Sequence, residues 1–250
     1  MQFDTSKYLE YLKPQSFGNH IIHIEETSST NDEVWNHMTN HNDIIVITDK
    51  QTNGRGRRNN KWFSLESKSL TFSIGLMKKN AKNNLSPLIA CLAICKSINK
   101  LSSMNVKIKW PNDIVINNKK IAGILIESKM IRGNIILNIG IGVNVNLNIE
   151  DITKSSLKNI SSMYIETDKI YNREHLLSEI IKSFDEYSTK KDENIIKSWL
   201  KYCSHINEKV LFHSNGEKIN GIFQGINSKG YAIIQMGNII KEFSSGVIKL

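Results

Sequence analysis

The chain has 250 residues and a formal net charge of +9; hydrophobic residues make up 40% of it and charged residues 23%. This balance excludes an intrinsically disordered chain, and the length fits one large domain or a domain with a small appendage. No run approaches the roughly 18 apolar residues of a membrane span and the N-terminus has no signal-peptide core, so we expect a cytoplasmic protein.

Apolar periodicity and cap residues predict strands and helices in irregular order along most of the chain. The predicted elements are a strand over 21–26, a helix over 28–38 that Ser29 or Thr30 can cap, strands over 43–50 and 69–77, a helix with Ser86 as cap and Pro87 as first residue, a strand over 106–116 broken at Pro111, a turn over 117–120, strands over 120–128 and 134–146 joined by a turn at Arg132-Gly133, and helices over 173–187 and 193–202. Short turns between adjacent strands favour antiparallel pairing, and hence an α+β fold with a mixed, largely antiparallel sheet. Cys91 and Cys95, four residues apart with no further ligand spacing, are expected to be core residues.

From about Ile206 the pattern changes to short alternating strands bounded by Gly, Asn or Ser. Such a pattern predicts a small all-β module, a five-stranded barrel. We therefore divide the chain into a larger domain over 1–205 and a β domain over 206–250.

The segment 54-GRGRRNNKWFS-64 is predicted to be a loop, and it lies in the most basic part of the chain. Between Lys50 and Lys109 there are thirteen basic residues and one acid, Glu66. Glycine lets backbone N–H groups approach an anion, and arginine offers paired donors to phosphate. A plain solvated loop is the alternative, but the composition favours a binding site for an anion such as a nucleotide, pyrophosphate or nucleic acid.

Two common phosphate motifs do not fit this loop. A dinucleotide-binding G-x-G-x-x-G would need glycine where Asn59 stands, a following helix, and an acid about 20 residues on, whereas no acid lies between Ser67 and Pro111. A P-loop would need a closing Gly-Lys-Ser/Thr, which is missing.

Five motifs in order resemble the biotin protein ligases. They are S-T-N at 29–31, G-R-G-R-x-x-x-x-W-x-S at 54–64, K-W-P-N-D at 109–113, K-x-A-G-I-L-x-E at 120–127 and G-x-G-x-N at 140–144. The order and spacing agree over about residues 20–250. The resemblance implies a catalytic biotin- and ATP-binding domain of the class II aminoacyl-tRNA synthetase type over 1–205, followed by an SH3-like domain over 206–250.

The resemblance also implies a two-step reaction. The biotin carboxylate attacks the α-phosphate of ATP to give biotinyl-5′-AMP, and a lysine of a biotin carboxyl carrier protein then displaces AMP. ATP, Mg²⁺ and the carrier protein are the expected cofactors and partner. Both steps build negative charge on oxygen atoms, so positioning and electrostatic stabilisation should supply most of the rate.

The family's roles map onto this chain residue by residue. The resemblance assigns Ser29, Thr30, Gln51, Gly54, Trp62, Gly123 and Gly140 to biotin, Arg58, Lys61, Asn112 and Asn144 to the nucleotide, Asp113 to Mg²⁺, and Arg55, Arg57 and Lys120 to catalysis and biotin binding, with Arg57 also at the nucleotide. Each has a simpler alternative when taken alone: helix caps for Ser29 and Thr30, a turn former for Asp113, a hairpin tip for Lys120, strand or bulge positions for Gly140 and Gly142, and core aromatics for Trp62 and Trp110.

Three departures from the family bear on function. Asn59 stands where the family often has glycine, although asparagine tolerates the left-handed conformation, and Asn60 stands where a basic residue is common. Only about twenty residues precede the first predicted strand, too few for a helix-turn-helix domain, so we expect no repressor function and no specific DNA binding. A lipoate ligase and a nucleic-acid-binding protein are the competing interpretations, and monomer and homodimer both remain open.

Overall fold

The computed structural model describes residues 2–14, 17–38, 43–78, 85–131, 133–155, 157–214 and 216–249, apart from the side chains of residues 59 and 78. Its helices are α1 Thr5–Leu12, α2 Thr30–His37, α3 Ser86–Ser102, α4 Ile149–Ser155, α5 Met163–Thr167, α6 Arg173–Ser188 and α7 Asp192–Tyr202. None of these described helices is long and apolar enough to cross a membrane.

Seven strands form the larger sheet. They are β1 Ile21–Thr27, β2 Asp43–Gln51, β3 Ser69–Lys78, β4 Lys107–Lys109, β5 Asp113–Ile116, β6 Lys119–Ile131 and β7 Asn134–Asn144, in the order β1-β2-β3-β7-β6-β5-β4. Only β1 and β2 pair in parallel among these described strands; every other neighbouring pair is antiparallel. The predicted α+β class with a mixed, largely antiparallel sheet is confirmed.

The two faces of this sheet have different neighbours because side chains alternate along a strand. In β2, Ile45 and Ile47 join the main core with α3 and α6, whereas Ile44 and Val46 pack with α2 in a second cluster. Burial on both faces explains why this strand is apolar at consecutive positions.

The three central strands carry apolar side chains on one face and several small or polar residues on the other. Phe72 of β3 and Ile139 of β7 are fully buried in the main core. On the opposite face the register places Ser73 opposite Gly140 and Thr71 opposite Gly142. Small residues on three adjacent strands leave space above this face, and that space becomes the floor of the candidate site.

A second, five-stranded antiparallel sheet follows at the C-terminus. Its strands are β8 Lys209–Ser214, β9 Glu217–Ile226, β10 Ala232–Met236, β11 Ile239–Phe243 and β12 Val247–Lys249, in the order β11-β10-β9-β8-β12. It packs against the larger part through Trp110, whose Nε1 donates to the Gly230 carbonyl at 3.1 Å and whose ring lies 5.6 Å from that of Phe212. The five predicted strands are confirmed; the division at residue 206 stays a prediction.

Several local predictions need correction. The strand predicted over 106–116 is two antiparallel strands, β4 and β5, joined by a turn that contains a cis Trp110–Pro111 bond. Ser86 is the first residue of α3, and Leu85 occupies the cap position. The short helices α1, α4 and α5 were not predicted, because too few periodic apolar residues mark them. The predicted turn at 132–133 falls partly outside the described residues, and Gly133 has a φ of 77°.

Candidate functional site

A cavity of about 230 Å³ lies between the small-residue face of the large sheet, the basic loop and the last strand of the small sheet. It brings together thirteen of the predicted site residues: Ser29, Thr30, Gln51, Arg55, Arg57, Arg58, Lys61, Trp62, Asn112, Asp113, Lys120, Gly123 and Gly140. They come from six separate segments of the chain, so their convergence is a property of the fold.

Two predicted residues do not line the cavity. Asn144 is 3% exposed, and its side-chain nitrogen donates to the Ser161 carbonyl at 2.9 Å. Gly54 lies beneath the loop, where an added Cβ would come within 2.6 Å of Gln51 Nε2 and 2.7 Å of the Trp62 carbonyl oxygen. In this geometry both residues support the walls of the cavity, and the ligand contacts expected of them stay predictions.

The cavity also has walls that the site prediction left out. Asn31, Lys109 and Trp110 line it, and all three belong to the motifs that carry the resemblance, so a signal for them was present. Val247 and Ile248 line it from β12. Nothing in their local sequence distinguishes these two from other strand residues, because the small sheet meets the cavity only through tertiary packing.

At one end of the cavity neutral hydrogen-bonding groups converge at the start of α2. Ser29 occupies the cap position, but its side chain makes no capping hydrogen bond. The Thr30 backbone N–H donates to Gln51 Oε1 at 2.9 Å, and the Thr30 hydroxyl lies 2.7 Å from the Ser73 hydroxyl. Helix capping therefore does not account for Ser29 and Thr30, which instead face this end of the cavity.

Asn31 connects this end to the sheet. Its Oδ1 accepts from the Ser73 hydroxyl at 2.7 Å, its Nδ2 donates to Glu127 at 2.8 Å, and its carbonyl accepts from Asn138 at 2.7 Å. An added Cβ at Gly140 would lie 2.2 Å from Asn31 Oδ1, so only glycine fits beneath this side chain. We call the connected set Thr30, Asn31, Gln51, Ser73 and Asn138 the neutral network.

Trp62 forms a wall of the cavity by lying flat against the glycine face of the sheet. An added Cβ at Gly142 would come within 2.2 Å of the Trp62 ring, and one at Gly123 would lie 2.9 Å from Lys120 Nζ. Lys120 Nζ lies 5.5 Å from the centre of the Trp62 ring. The small residues of β6 and β7 thus accommodate both the indole ring and the lysine.

The basic loop folds into a hydrogen-bonded turn. Gly56 N–H donates to the Asn60 carbonyl at 2.7 Å, and Trp62 N–H donates to the Gly54 carbonyl at 2.9 Å. A single 3₁₀ turn spans Arg57–Asn59, and its left-handed residue is Arg58, with φ of 57°. The strained position that we expected at Asn59 is therefore occupied by Arg58.

Arg55 makes a two-point ion pair with Asp32 of α2. Its Nη1 and Nη2 donate to the two carboxylate oxygens at 2.7 and 2.6 Å. The hydrogen bonds from Arg55 hold the pKa of Asp32 below its ordinary value, against a smaller opposing effect of burial. The first arm of the basic loop is thereby joined to the helix that carries Ser29 and Thr30.

Arg57 spans the cavity toward the small sheet. Its Nη1 donates to Asn112 Oδ1 at 3.3 Å and to the Gly246 carbonyl at 3.5 Å. Partial burial lowers the pKa of Arg57 from its ordinary value, and the neighbouring Arg58 lowers it further. A guanidinium in such a setting is stabilised by an incoming anion.

Charged side chains cluster at the other end of the cavity, near the starts of β5 and β6. Lys120 Nζ lies 2.6 Å from Asp113 Oδ1, and both side chains are about one-third exposed, at 33% and 31%. Burial lowers the pKa of the adjacent Lys109. With Arg57, Arg58 and Lys61 on the loop, this end of the cavity is strongly cationic and suited to a polyphosphate.

The donor set around Asp113 limits which metal ion the site can hold. Across the residues that the structure describes, no group of three or more His, Cys, Asp or Glu side chains is arranged to hold an ion. Mg²⁺ is commonly held by one or two carboxylates, with phosphate oxygens and water as its other ligands. Asp113 fits an Mg²⁺ ion of that kind, which arrives with a nucleotide.

Comparison with protein families identifies two matches. The model of the "Biotin/lipoate A/B protein ligase family" matches residues 21–146, and that of the "Biotin protein ligase C terminal domain" matches residues 205–250. Together they span both sheets.

Known proteins of similar sequence and structure are also named as ligases. The chain is 29% identical to the bifunctional ligase/repressor BirA of Bacillus subtilis, over 96% of this chain and 76% of that protein. It is 25% identical to a biotin–[acetyl-CoA-carboxylase] ligase of Paracoccus denitrificans, over 76% of this chain and 83% of that protein. Among solved structures, a biotin protein ligase from Aquifex aeolicus in complex with biotin and ATP superposes with a TM-score of 0.78 at 27% identity, covering 93% of this chain and 98% of that one.

Proposed function

This chain belongs to the biotin/lipoate A/B protein ligase family, and we propose that it is an ATP-dependent enzyme that attaches biotin to one lysine of a biotin carboxyl carrier protein. The observation that carries the proposal is the two-ended cavity, with neutral hydroxyl and amide groups at one end and a cluster of cations at the other. That arrangement suits a neutral polar head group whose carboxylate tail must meet a nucleotide phosphate.

The neutral end is the biotin head-group site in this proposal. The ureido ring of biotin has two N–H donors and one carbonyl acceptor, and the hydroxyl and amide side chains of Ser29, Thr30 and Gln51 offer partners for both kinds of group. Lipoate has no such head group, so a neutral network at this position favours biotin. The match of residues 205–250 to a biotin protein ligase domain supports the same choice.

The cationic end serves the first chemical step. A biotin carboxylate oxygen attacks the α-phosphorus of ATP, the bond from that phosphorus to the bridging oxygen breaks, and pyrophosphate leaves with the electron pair. Lys120 and Arg57 hold the biotin carboxylate against the α-phosphate and offset the charge that develops on the phosphoryl oxygens, while Arg58 and Lys61 hold the leaving pyrophosphate. Mg²⁺ bound through Asp113 would neutralise phosphate charge, and Asn112 would hold the side chain of Arg57 toward the phosphates.

In the second step the carrier's lysine amine attacks the acyl carbon of biotinyl-5′-AMP, AMP leaves, and the amine loses a proton. Until then the mixed anhydride must be kept from water. The Trp62 ring and the side chains of Val247 and Ile248 line the cavity around the intermediate, and the basic loop covers it.

We further propose that the enzyme works in the cytoplasm. A reaction that consumes ATP and modifies a newly made carrier protein belongs in the cytoplasm, and the three described cysteines are free, buried thiols. We propose no specific DNA binding, because the cations of the basic loop line the cavity and Lys50, Lys68, Lys96 and Lys100 are paired with carboxylates.

The decisive experiment measures AMP release from ATP and Mg²⁺ in the presence of an apo carrier domain, with biotin and lipoate supplied in parallel. Lys120→Ala is the test variant and Lys119→Ala is its matched control, because Lys119 is the exposed neighbour at the start of the same strand. We expect biotin-dependent turnover that falls by at least about a hundredfold in Lys120→Ala and is unchanged in Lys119→Ala.

Three results would contradict the proposal. Turnover with lipoate alone would make the chain a lipoate ligase, and equal activity in Lys120→Ala and wild type would remove Lys120 from the chemistry. Absence of turnover with both acids would reject the ligase function, and retention on duplex DNA at physiological salt would then favour a nucleic-acid-binding protein.

A further inference from the structure

The ion pair between Asp32 and Arg55 connects α2 to the basic loop beyond the point where the backbone hydrogen bonds between these two segments end. Asp32 lies in the first turn of α2, two residues after Thr30, and Arg55 lies in the first arm of the basic loop. The pair is bidentate, at 2.7 and 2.6 Å, and its two side chains are 36% and 44% exposed. It therefore fixes the loop to the helix that forms the neutral end of the cavity.

Backbone hydrogen bonds hold the base of the loop, where Thr52 N–H donates to the Thr27 carbonyl at 3.0 Å and Asn53 N–H donates to the Ser28 carbonyl at 2.9 Å. Beyond this base the described backbone bonds do not reach α2. The bonds from Gly56 to Asn60 and from Trp62 to Gly54 lie within the loop and move with it. At the far side Arg57 reaches Asn112 and Gly246 through contacts of 3.3 and 3.5 Å, which are longer than those made by Arg55. The shortest charged connection from the loop to the rest of the described site is thus the one to Asp32.

The Lys50–Glu26 pair shows what an ordinary surface ion pair looks like here. Its atoms are 2.7 Å apart and its side chains are 47% and 56% exposed. Lys50 and Glu26 are partners in the parallel ladder between β1 and β2, so the sheet holds them in place whether or not the charges meet. Removal of that pair should change nothing in the site, which makes it a matched control.

We infer that Asp32 is a positioning residue of this enzyme, which acts through Arg55 to hold the basic loop closed over the cavity. The inference rests on the proposed function and extends it. Arg55 then has a different task from Arg57: both of its terminal nitrogens are engaged by Asp32, so it anchors the loop, whereas Arg57 is aimed at the phosphates. The benefit is retention of the acyl adenylate until the carrier's lysine arrives.

The first test needs no catalysis. Amide hydrogen exchange over residues 54–62 is compared in wild type, Asp32→Asn and Glu26→Gln without ligands. Because a partly exposed ion pair contributes modestly, we expect exchange in this loop to be about two- to fivefold faster in Asp32→Asn and unchanged in Glu26→Gln. Equal exchange in all three proteins would overturn the inference, whatever the enzyme's activity.

The second test follows the intermediate. AMP formation without carrier protein reports leakage of the adenylate, and we expect it to rise about two- to fivefold in Asp32→Asn, with little change in kcat at saturating carrier. Arg55→Gln should release the adenylate as fast as Asp32→Asn does. The double variant should release it no faster than either single variant, since the two residues act as one unit. The charge reversal Asp32→Arg with Arg55→Asp should restore retention; additive losses, or no recovery, would contradict the pairing.

The two proposals fail in distinguishable ways. If the protein shows no biotin-dependent turnover but the loop exchanges faster in Asp32→Asn, the anchoring role of Asp32 stands and the ligase function is rejected. A protein with full turnover and unchanged loop exchange would retain the ligase assignment and lose the anchor.

Discussion

The two ends of the cavity are built by different physical means. At the neutral end, Thr30, Asn31 and Ser73 are buried, and each is held by more than one hydrogen bond. At the cationic end, the connections are ion pairs and hydrogen bonds between partly exposed side chains, such as Asp32 with Arg55 and Asp113 with Lys120. One end is part of the core, and the other combines partly exposed side chains of the sheet, such as Asp113 and Lys120, with a surface loop.

This difference suits the two tasks. A head group of fixed shape is selected best by buried polar groups that cannot relax, because each unmatched group is left without a partner. A polyphosphate that enters, reacts and leaves requires charge on a segment that can open. Partly exposed ion pairs are weak enough for that, being worth about 1 kcal/mol or less each.

The largest expected effect comes from a methyl group placed in the neutral network. In Gly140→Ala the new Cβ would lie 2.2 Å from Asn31 Oδ1, which Ser73 also holds. We expect the free energy of unfolding to fall by about 1–3 kcal/mol and biotin affinity to fall at least about tenfold, measured by chemical denaturation and calorimetric titration.

Two other glycines provide the contrast for that variant. Gly142→Ala meets the Trp62 ring, also at 2.2 Å, but this ring belongs to the loop and can move with it. Gly142→Ala should therefore cost less stability than Gly140→Ala and lower biotin affinity by a smaller factor. Gly56→Ala, with its nearest atom at 3.4 Å, is the control for stability. A loss of biotin affinity in Gly142→Ala as large as in Gly140→Ala would remove the distinction between the ends.

High salt should weaken the binding of ATP more than the binding of biotin. We expect this effect to be smaller than that of Gly140→Ala. The screening length falls from about 10 Å at 0.1 M salt to about 3 Å at 1 M, which weakens attraction between the exposed cations and ATP. Across this range we expect the KM for ATP to rise roughly three- to tenfold and the Kd of biotin to change by less than about twofold. Steady-state rates and calorimetry measure the two; a similar salt dependence for both ligands would argue against a neutral biotin end.

The smallest effect concerns the pH dependence of stability. The Arg55 hydrogen bonds lower the folded-state pKa of Asp32, so the pair contributes stability above the unfolded value of about 3.9 and loses it as the pH falls through the lower folded value. Wild type should therefore exceed Asp32→Asn in Tm by a small margin near about pH 7, and the margin should shrink progressively as the pH falls below about 4. A margin that persists unchanged in acid would show that charge on Asp32 is not its source.

The sequence predicted most of the fold because strands and helices here follow local patterns. A run of β-branched residues marked β2, and the Ser-Pro pair marked α3 to within one residue. The residues of the site were likewise predicted from the sequence, and thirteen of them meet in one cavity. The short helices and the hairpin at Pro111 were not predicted. Elements this short show no apolar periodicity in the sequence, and tertiary packing stabilises them.

The sequence by itself determined which chemical groups this protein brings to its site: the hydroxyl and amide side chains near residue 30, the arginine loop, and the lysine and aspartate on β6 and β5. Only the tertiary structure decided how they are held. It placed Asn31 over Gly140, joined Asp32 to Arg55, and brought Val247 from the small sheet to the cavity wall. Residue type and spacing follow from the local chain, whereas these contacts join segments far apart in sequence, and such contacts exist only once the whole core has packed.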